Sequence, residues 1–141
     1  MNCIIIDDEP LAREAMEMLV EENKELCLLS MFNNAVSAAR FMEEHSVDLI
    51  FLDIQMPGMD GMETAKVLRQ DNEDMILVFV TAAEAYVFQA FDVGAFHYLV
   101  KPFSDEKFKE VVTKAVHNIK RSSRLEKDEK YIMVQTAGSH I

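Results

Sequence analysis

Short, uninterrupted apolar runs recur along this chain, each followed by a longer segment of helical period, and this alternation is what most constrains the fold. A run that is apolar at every position suits a strand buried on both faces, as in a parallel sheet covered by helices. Five such units can be read. The first run, Cys3–Ile6, is closed by Asp7-Asp8, and Leu11, Ala15, Met18 and Leu19 then recur at i, i+4, i+7 and i+8 as the apolar face of a first helix. Leu26–Met31 leads to Ala35, Ala38, Ala39 and Met42, a face of small residues that lets a helix lie close on a sheet. Leu49–Leu52 stops at Asp53, and a Pro57-Gly58 turn precedes a helix around Met62–Leu68. Met75–Val80 ends at Thr81, and its helix, from about Glu84 to Val93, closes at Gly94. Phe96–Val100 ends at Lys101-Pro102, after which Phe108, Val111, Val112, Ala115, Val116 and Ile119 mark a last helix. The fold class is therefore α/β, a doubly wound five-stranded parallel sheet.

After Arg121 the character changes. Residues 122–130, SSRLEKDEK, read as a linker, and YIMVQT at 131–136 reads as a strand. One strand cannot be a domain, so residues 1–121 are expected to form one domain and 131–141 the start of a truncated second one. The 141 residues carry a net charge of −11, all of it in residues 1–121. Such acidity makes this domain a poor ligand for phosphate backbones or anionic lipid and favours proteins and cations as partners. No basic-then-apolar leader opens the sequence, and no run approaches the roughly 20 apolar residues of a membrane span. Cys3 and Cys27 both fall in apolar runs and are expected to be buried thiols; with no disulfide pattern, the expected location is the cytoplasm.

Ligands of an open α/β sheet bind at the carboxyl ends of its strands. Those ends carry Asp7 and Asp8, Asp53, Thr81 and Lys101. If the strands are neighbours, three carboxylates, a hydroxyl and an ammonium share one crevice, and the two uncompensated negative charges are what a divalent cation neutralises. Oxygen ligands without His or Cys favour Mg²⁺, with Mn²⁺ as its substitute. Beside the metal, a carboxylate can act as nucleophile toward phosphorus. Asp53, standing alone, is the candidate phosphoacceptor, and Asp7 with Asp8 the metal-holding pair. Thr81 and Lys101 would bind the phosphoryl oxygens. Plainer readings compete: Asp8 and Thr81 as helix N-caps, and Lys101 as a turn residue forced out of helix geometry by Pro102.

The segments IIIDDEP, FLDIQMPGMDG, FVTA and YLVKPF, in this order, resemble the receiver domain of bacterial two-component response regulators. The resemblance covers residues 1 to about 121. It implies a flavodoxin-like fold with strand order 2-1-3-4-5 and phosphorylation of Asp53 by a sensor histidine kinase. It further implies Mg²⁺ held by Asp7, Asp8, Asp53 and the backbone carbonyl of Gln55, phosphoryl contacts from Thr81 and Lys101, and a cis peptide at Lys101-Pro102.

A switch is implied as well, in which the Thr81 hydroxyl moves toward the phosphoryl group and Tyr98 turns inward. The helix expected at 84–93 is apolar nearly all round, so that Tyr86, Val87, Phe88, Phe91 and His97 offer a homodimer surface. DDEPLARE, VTAAEAYVFQAFDVGAFHYLVKPF and YIMVQT resemble the subgroup whose output module is a LytTR-type DNA-binding domain. DNA would then be reached only through a second domain, and no membrane partner is expected. Two rivals remain at this point: a Mg²⁺-dependent phosphatase with an aspartyl-phosphate intermediate, and a receiver-like dimerisation module without phosphoryl chemistry. The phosphatase reading wants a second acid two residues after the nucleophile, where this chain has Gln55.

Overall fold

A computed structural model of the chain describes residues 1–56, 59–69, 74–82 and 97–119. Its strands are β1 (Asn2–Ile6), β2 (Cys27–Phe32), β3 (Leu49–Asp53), β4 (Gln55–Met56), β5 (Met59–Asp60), β6 (Ile76–Thr81) and β7 (His97–Val100). Helices α1 (Pro10–Glu21), α2 (Ala35–Glu44) and α3 (Gly61–Arg69) lie between them, and a further helix covers residues 105–119. Five strands form one sheet in the order β2-β1-β3-β6-β7, every pairing parallel. Counted along the chain, these five strands stand in the order 2-1-3-4-5, as expected. β4 and β5 pair separately as a short antiparallel ribbon.

Strand alternation sorts the apolar runs into two cores. Ile4, Ile6, Ile50, Leu52, Leu77 and Phe79 face one side, with Ala38 and Met42 of α2 and Ala65 and Leu68 of α3. Cys3, Ile5, Leu49, Phe51, Ile76 and Val78 face the other, with Met16 and Val20 of α1 and Phe108, Val111, Val112 and Ala115 of the helix over 105–119. The central strands are apolar at every position because both of their faces are covered.

Two expectations are corrected. Cys27 is exposed, whereas Cys3 is buried. Cys27 opens the edge strand β2, opposite Asn2 and before the register shift that leaves Leu29 as an extra residue. An edge position of this kind lacks the cover that central strands have. In α1 the expected face of Leu11, Ala15, Met18 and Leu19 is not the buried one. Met16 and Val20 are buried and Leu19 packs against them, while Leu11 is 79% and Met18 63% exposed. The helix carries two apolar stripes, and the rotation chosen turns in the one shared with Arg13, whose side chain is tied to the end of β1.

The linker expected at 122–130, the segment at 131–141 and the helix expected near 84–93, with Tyr86, Val87, Phe88 and Phe91, lie outside the described residues.

Candidate functional site

Strand register decides which of the strand-end residues meet. β1 pairs Ile6 with Leu52 of β3, so Asp7 and Asp53 leave adjacent strands at one level. β3 sets Asp53 beside Val80, one residue before Thr81, and β6 sets Thr81 beside Val100. The pairing continues one step further, where the Lys101 N–H donates to the Thr81 carbonyl at 2.7 Å. The Lys101-Pro102 peptide is cis.

The acids gather tightly. Asp7 is 3% and Asp53 7% exposed, and Asp8 is half-buried. Each of the three offers a carboxylate oxygen, and these oxygens all lie within 4.8 Å of one another. At an effective dielectric of about 20, each such pair of charges repels by roughly 3 to 4 kcal/mol. Lys101 opposes this: its Nζ stands 3.2 Å from Asp7 Oδ2 and 4.0 Å from Asp53 Oδ2. Two negative charges remain, in a donor set made entirely of oxygen, and that set fits a hard divalent cation.

The β1–α1 turn is built around Asp7. Its N–H donates to the Phe32 carbonyl at 3.0 Å, and its Oδ1 accepts from the Glu9 N–H at 3.0 Å. Its carbonyl accepts from Arg13 Nη1 at 2.7 Å. The N-cap position of α1 belongs to Glu9, whose side chain makes no capping bond, with Pro10 opening the helix. Asp8 is therefore not the cap, and the plainer reading of that residue falls away. By contrast α2 has a true cap, Asn34, whose Oδ1 accepts from the Ser37 N–H at 2.8 Å.

Other expected residues take these places. Thr81 is fully buried at the end of β6. Gln55 opens the β4–β5 ribbon two residues past Asp53. Tyr98 is half-buried in β7 and packs against the core on the α2–α3 side. His97, next to it, is also half-buried, with its ring 5.3 Å from that of Tyr98. Arg13 was not among the residues expected at the site. One signal could have found it: a cation at the start of a helix opposes the macrodipole by a few tenths of a kcal/mol and asks for a local anion or acceptor.

With this geometry in view, residues 3–113 match the family model of the response regulator receiver domain. The chain belongs to the response regulator receiver family. Among curated relatives, the sensory transduction protein LytT of Oceanobacillus iheyensis is 40% identical over 111 residues, covering 77% of this chain and 45% of LytT. The chain thus spans a little under half the length of that relative. Among solved structures, the response regulatory domain of protein mrkE from Klebsiella pneumoniae matches with a TM-score of 0.79 at 28% identity, covering 86% of this chain and 99% of that one. Response regulator protein TrrA from Thermotoga maritima, solved in complex with Mg²⁺-BeF, matches with a TM-score of 0.72 at 30% identity, covering 81% of this chain and 97% of that one. This receiver's role is accordingly in signalling. Relatives named LytT agree with its resemblance to the LytTR subgroup, and the phosphatase alternative finds no support in the matches. No helix among the described residues is long and apolar enough to cross a membrane.

Proposed function

We propose that this receiver takes a phosphoryl group from a partner histidine kinase onto Asp53 and then returns it to water. The observation that carries the reading is the gathering of Asp7, Asp8 and Asp53 within 4.8 Å, with Lys101 against two of them. Asp7, Asp8 and Asp53, with the backbone carbonyl of Gln55, would hold Mg²⁺ or Mn²⁺. When bound, the cation supplies charge stabilisation to the phosphoryl oxygens. The Mg²⁺-BeF complex of TrrA supports giving this acidic cluster a Mg²⁺.

The Asp53 carboxylate attacks phosphorus, a P–O bond forms, and the P–N bond of the kinase phosphohistidine breaks, leaving the imidazole with the electron pair. Lys101 keeps its ammonium beside the incoming oxygens, and the Thr81 hydroxyl donates to one of them. Burial of Asp53 limits attack by bulk water on the acyl phosphate.

Thr81 and Tyr98 belong to the switch in this reading, and β6–β7 pairing, Phe79 against Tyr98, links them through one pair of strands. Phosphorylation favours a homodimer through Tyr86, Val87, Phe88, Phe91 and His97. The intact protein works in the cytoplasm, with residues 1–121 as the receiver, 122–130 as a linker and 131–141 as the start of a LytTR-type domain through which DNA is bound.

The test is intact-mass measurement after incubation with Mg²⁺ and a small phosphoryl donor. The expected result is addition of one phosphoryl group, absent in Asp53→Asn and in the presence of a chelator. Addition that persists in Asp53→Asn overturns the assignment. Rapid turnover of varied phosphate esters would point to the phosphatase, and no addition at all to the inert module.

A further inference from the structure

Arg13 reaches from the first turn of α1 back to the strand that α1 follows. Its Nη1 donates to the Asp7 carbonyl at 2.7 Å, and Arg13 lies on the same face of the helix as the buried Met16 and Val20. That carbonyl belongs to the peptide joining Asp7 to Asp8. The other polar groups of Asp7 are also engaged: its N–H with Phe32, its Oδ1 with the Glu9 N–H and its Oδ2 with Lys101. A charged hydrogen bond at its oxygen restrains that peptide plane from rotating, and the plane's orientation sets the direction in which Asp8 leaves. Since Glu9 makes no side-chain cap, the turn carrying the two acids is braced by Arg13 and Asp7 rather than by ordinary helix capping.

We propose that Arg13 is a positioning residue for the metal-holding pair: it fixes the Asp7–Asp8 peptide plane and so brings the Asp8 carboxylate to Asp7 and Asp53. The proposal rests on the reading of the acidic cluster as a Mg²⁺ site. It concerns geometry and not charge, and the two have opposite signs here. A guanidinium near three carboxylates repels an incoming cation, so loss of its charge alone would tighten Mg²⁺ binding. Loss of the brace weakens it, and partners that orient a metal ligand typically account for about 10–100-fold in affinity.

The experiment is calorimetric titration of Mg²⁺ alone into the wild-type chain, Arg13→Met, Arg13→Gln and Asp8→Asn, with the melting temperature of each in metal-free buffer. Wild type binds, Asp8→Asn does not, and both Arg13 variants bind at least about tenfold more weakly. Raising the salt does not shrink that ratio, because the opposing charge effect fades as the Debye length falls to about 3 Å near 1 M and leaves the loss of the brace. Arg13→Gln, the milder change for folding, carries the same expectation on its own should Arg13→Met not fold. Affinity in a folded Arg13 variant equal to or tighter than wild type overturns the proposal and leaves the metal reading standing. Absence of Mg²⁺ binding by wild type overturns both.

Discussion

The two cysteines show what a residue's neighbours in sequence reveal about it and what they do not. Both sit in apolar runs, yet Cys3 lies in a central strand and Cys27 opens the edge strand. An apolar run announces a strand without saying whether other strands flank it on both sides. Native labelling with a thiol reagent should therefore modify one cysteine, Cys27, and unfolding should release the second. Burial pushes the Cys3 thiol from its ordinary 9.0 up to about 12. The fold thus retains a proton that the unfolded chain loses. Stability is full below pH 9 and falls as the pH rises toward 12, by at most about 4 kcal/mol across that window. Denaturant melts of wild type and Cys3→Ala should differ in slope against pH above 9; parallel curves would contradict the assignment.

Thr64 offers a second prediction at this scale. It is fully buried in α3, and its hydroxyl finds no hydrogen-bond partner among the described residues. Thr64→Val keeps the shape and removes the unsatisfied group, so stability should rise by about 1 kcal/mol in urea titrations.

Among the elements, α2 was legible and α1 was legible only in part. Ala35, Ala38 and Met42 are buried as their spacing predicts. The spacing in α1 fits two stripes, and periodicity gives a helix without fixing its phase. The rotation observed buries Met16 and Val20 and keeps Arg13 on the Asp7 carbonyl, a bond between two elements that no local pattern relates. The caps differ likewise. Asn34→Ala should cost about 1 kcal/mol, because Asn34 Oδ1 serves the Ser37 N–H. Glu9→Ala should cost far less, since Glu9 makes no side-chain cap. Equal losses in chemical denaturation would show that the two helix starts are held alike. Strand ends were the most readable feature of all: where a fully apolar run meets a carboxylate, hydroxyl or ammonium, the sheet stops and the site begins. The rest of the site, Arg13 included, depends on contacts across the sheet edge and left only a faint trace in composition.

At the scale of the whole molecule, three like charges have been gathered at the cost of stability. Asp8→Asn removes one of them. In a chelating buffer it should melt above wild type, by an amount equivalent to roughly 2 kcal/mol once the two repulsions are discounted for the solvent that screens half-buried Asp8. With Mg²⁺ at about 100 times its wild-type dissociation constant the order should reverse, because wild type then gains roughly 2.7 kcal/mol of binding free energy that the variant lacks. Thermal melts in the two buffers check this, and curves that keep the same order in both would count against a metal at the cluster. The parallel sheet with a core on each face followed from the alternation of apolar runs, whereas the strand order, and with it the convergence at the sheet edge, came from the resemblance to receiver domains; right-handed winding narrows the possible orders without choosing among them.

The ion pair between Lys101 and Asp7 joins residues separated by 94 positions. The acids come from the first and third strands along the chain, and the ammonium arrives only with the last strand of the sheet. During synthesis, which proceeds from the N-terminus, the acidic half of the site therefore exists before its counter-ion has been made. If the cluster is the phosphoryl site proposed above, a nascent chain holds only part of it until β7 lies beside β6. On the proposed reading, competence to receive a phosphoryl group therefore waits on the strand of the sheet that is made last.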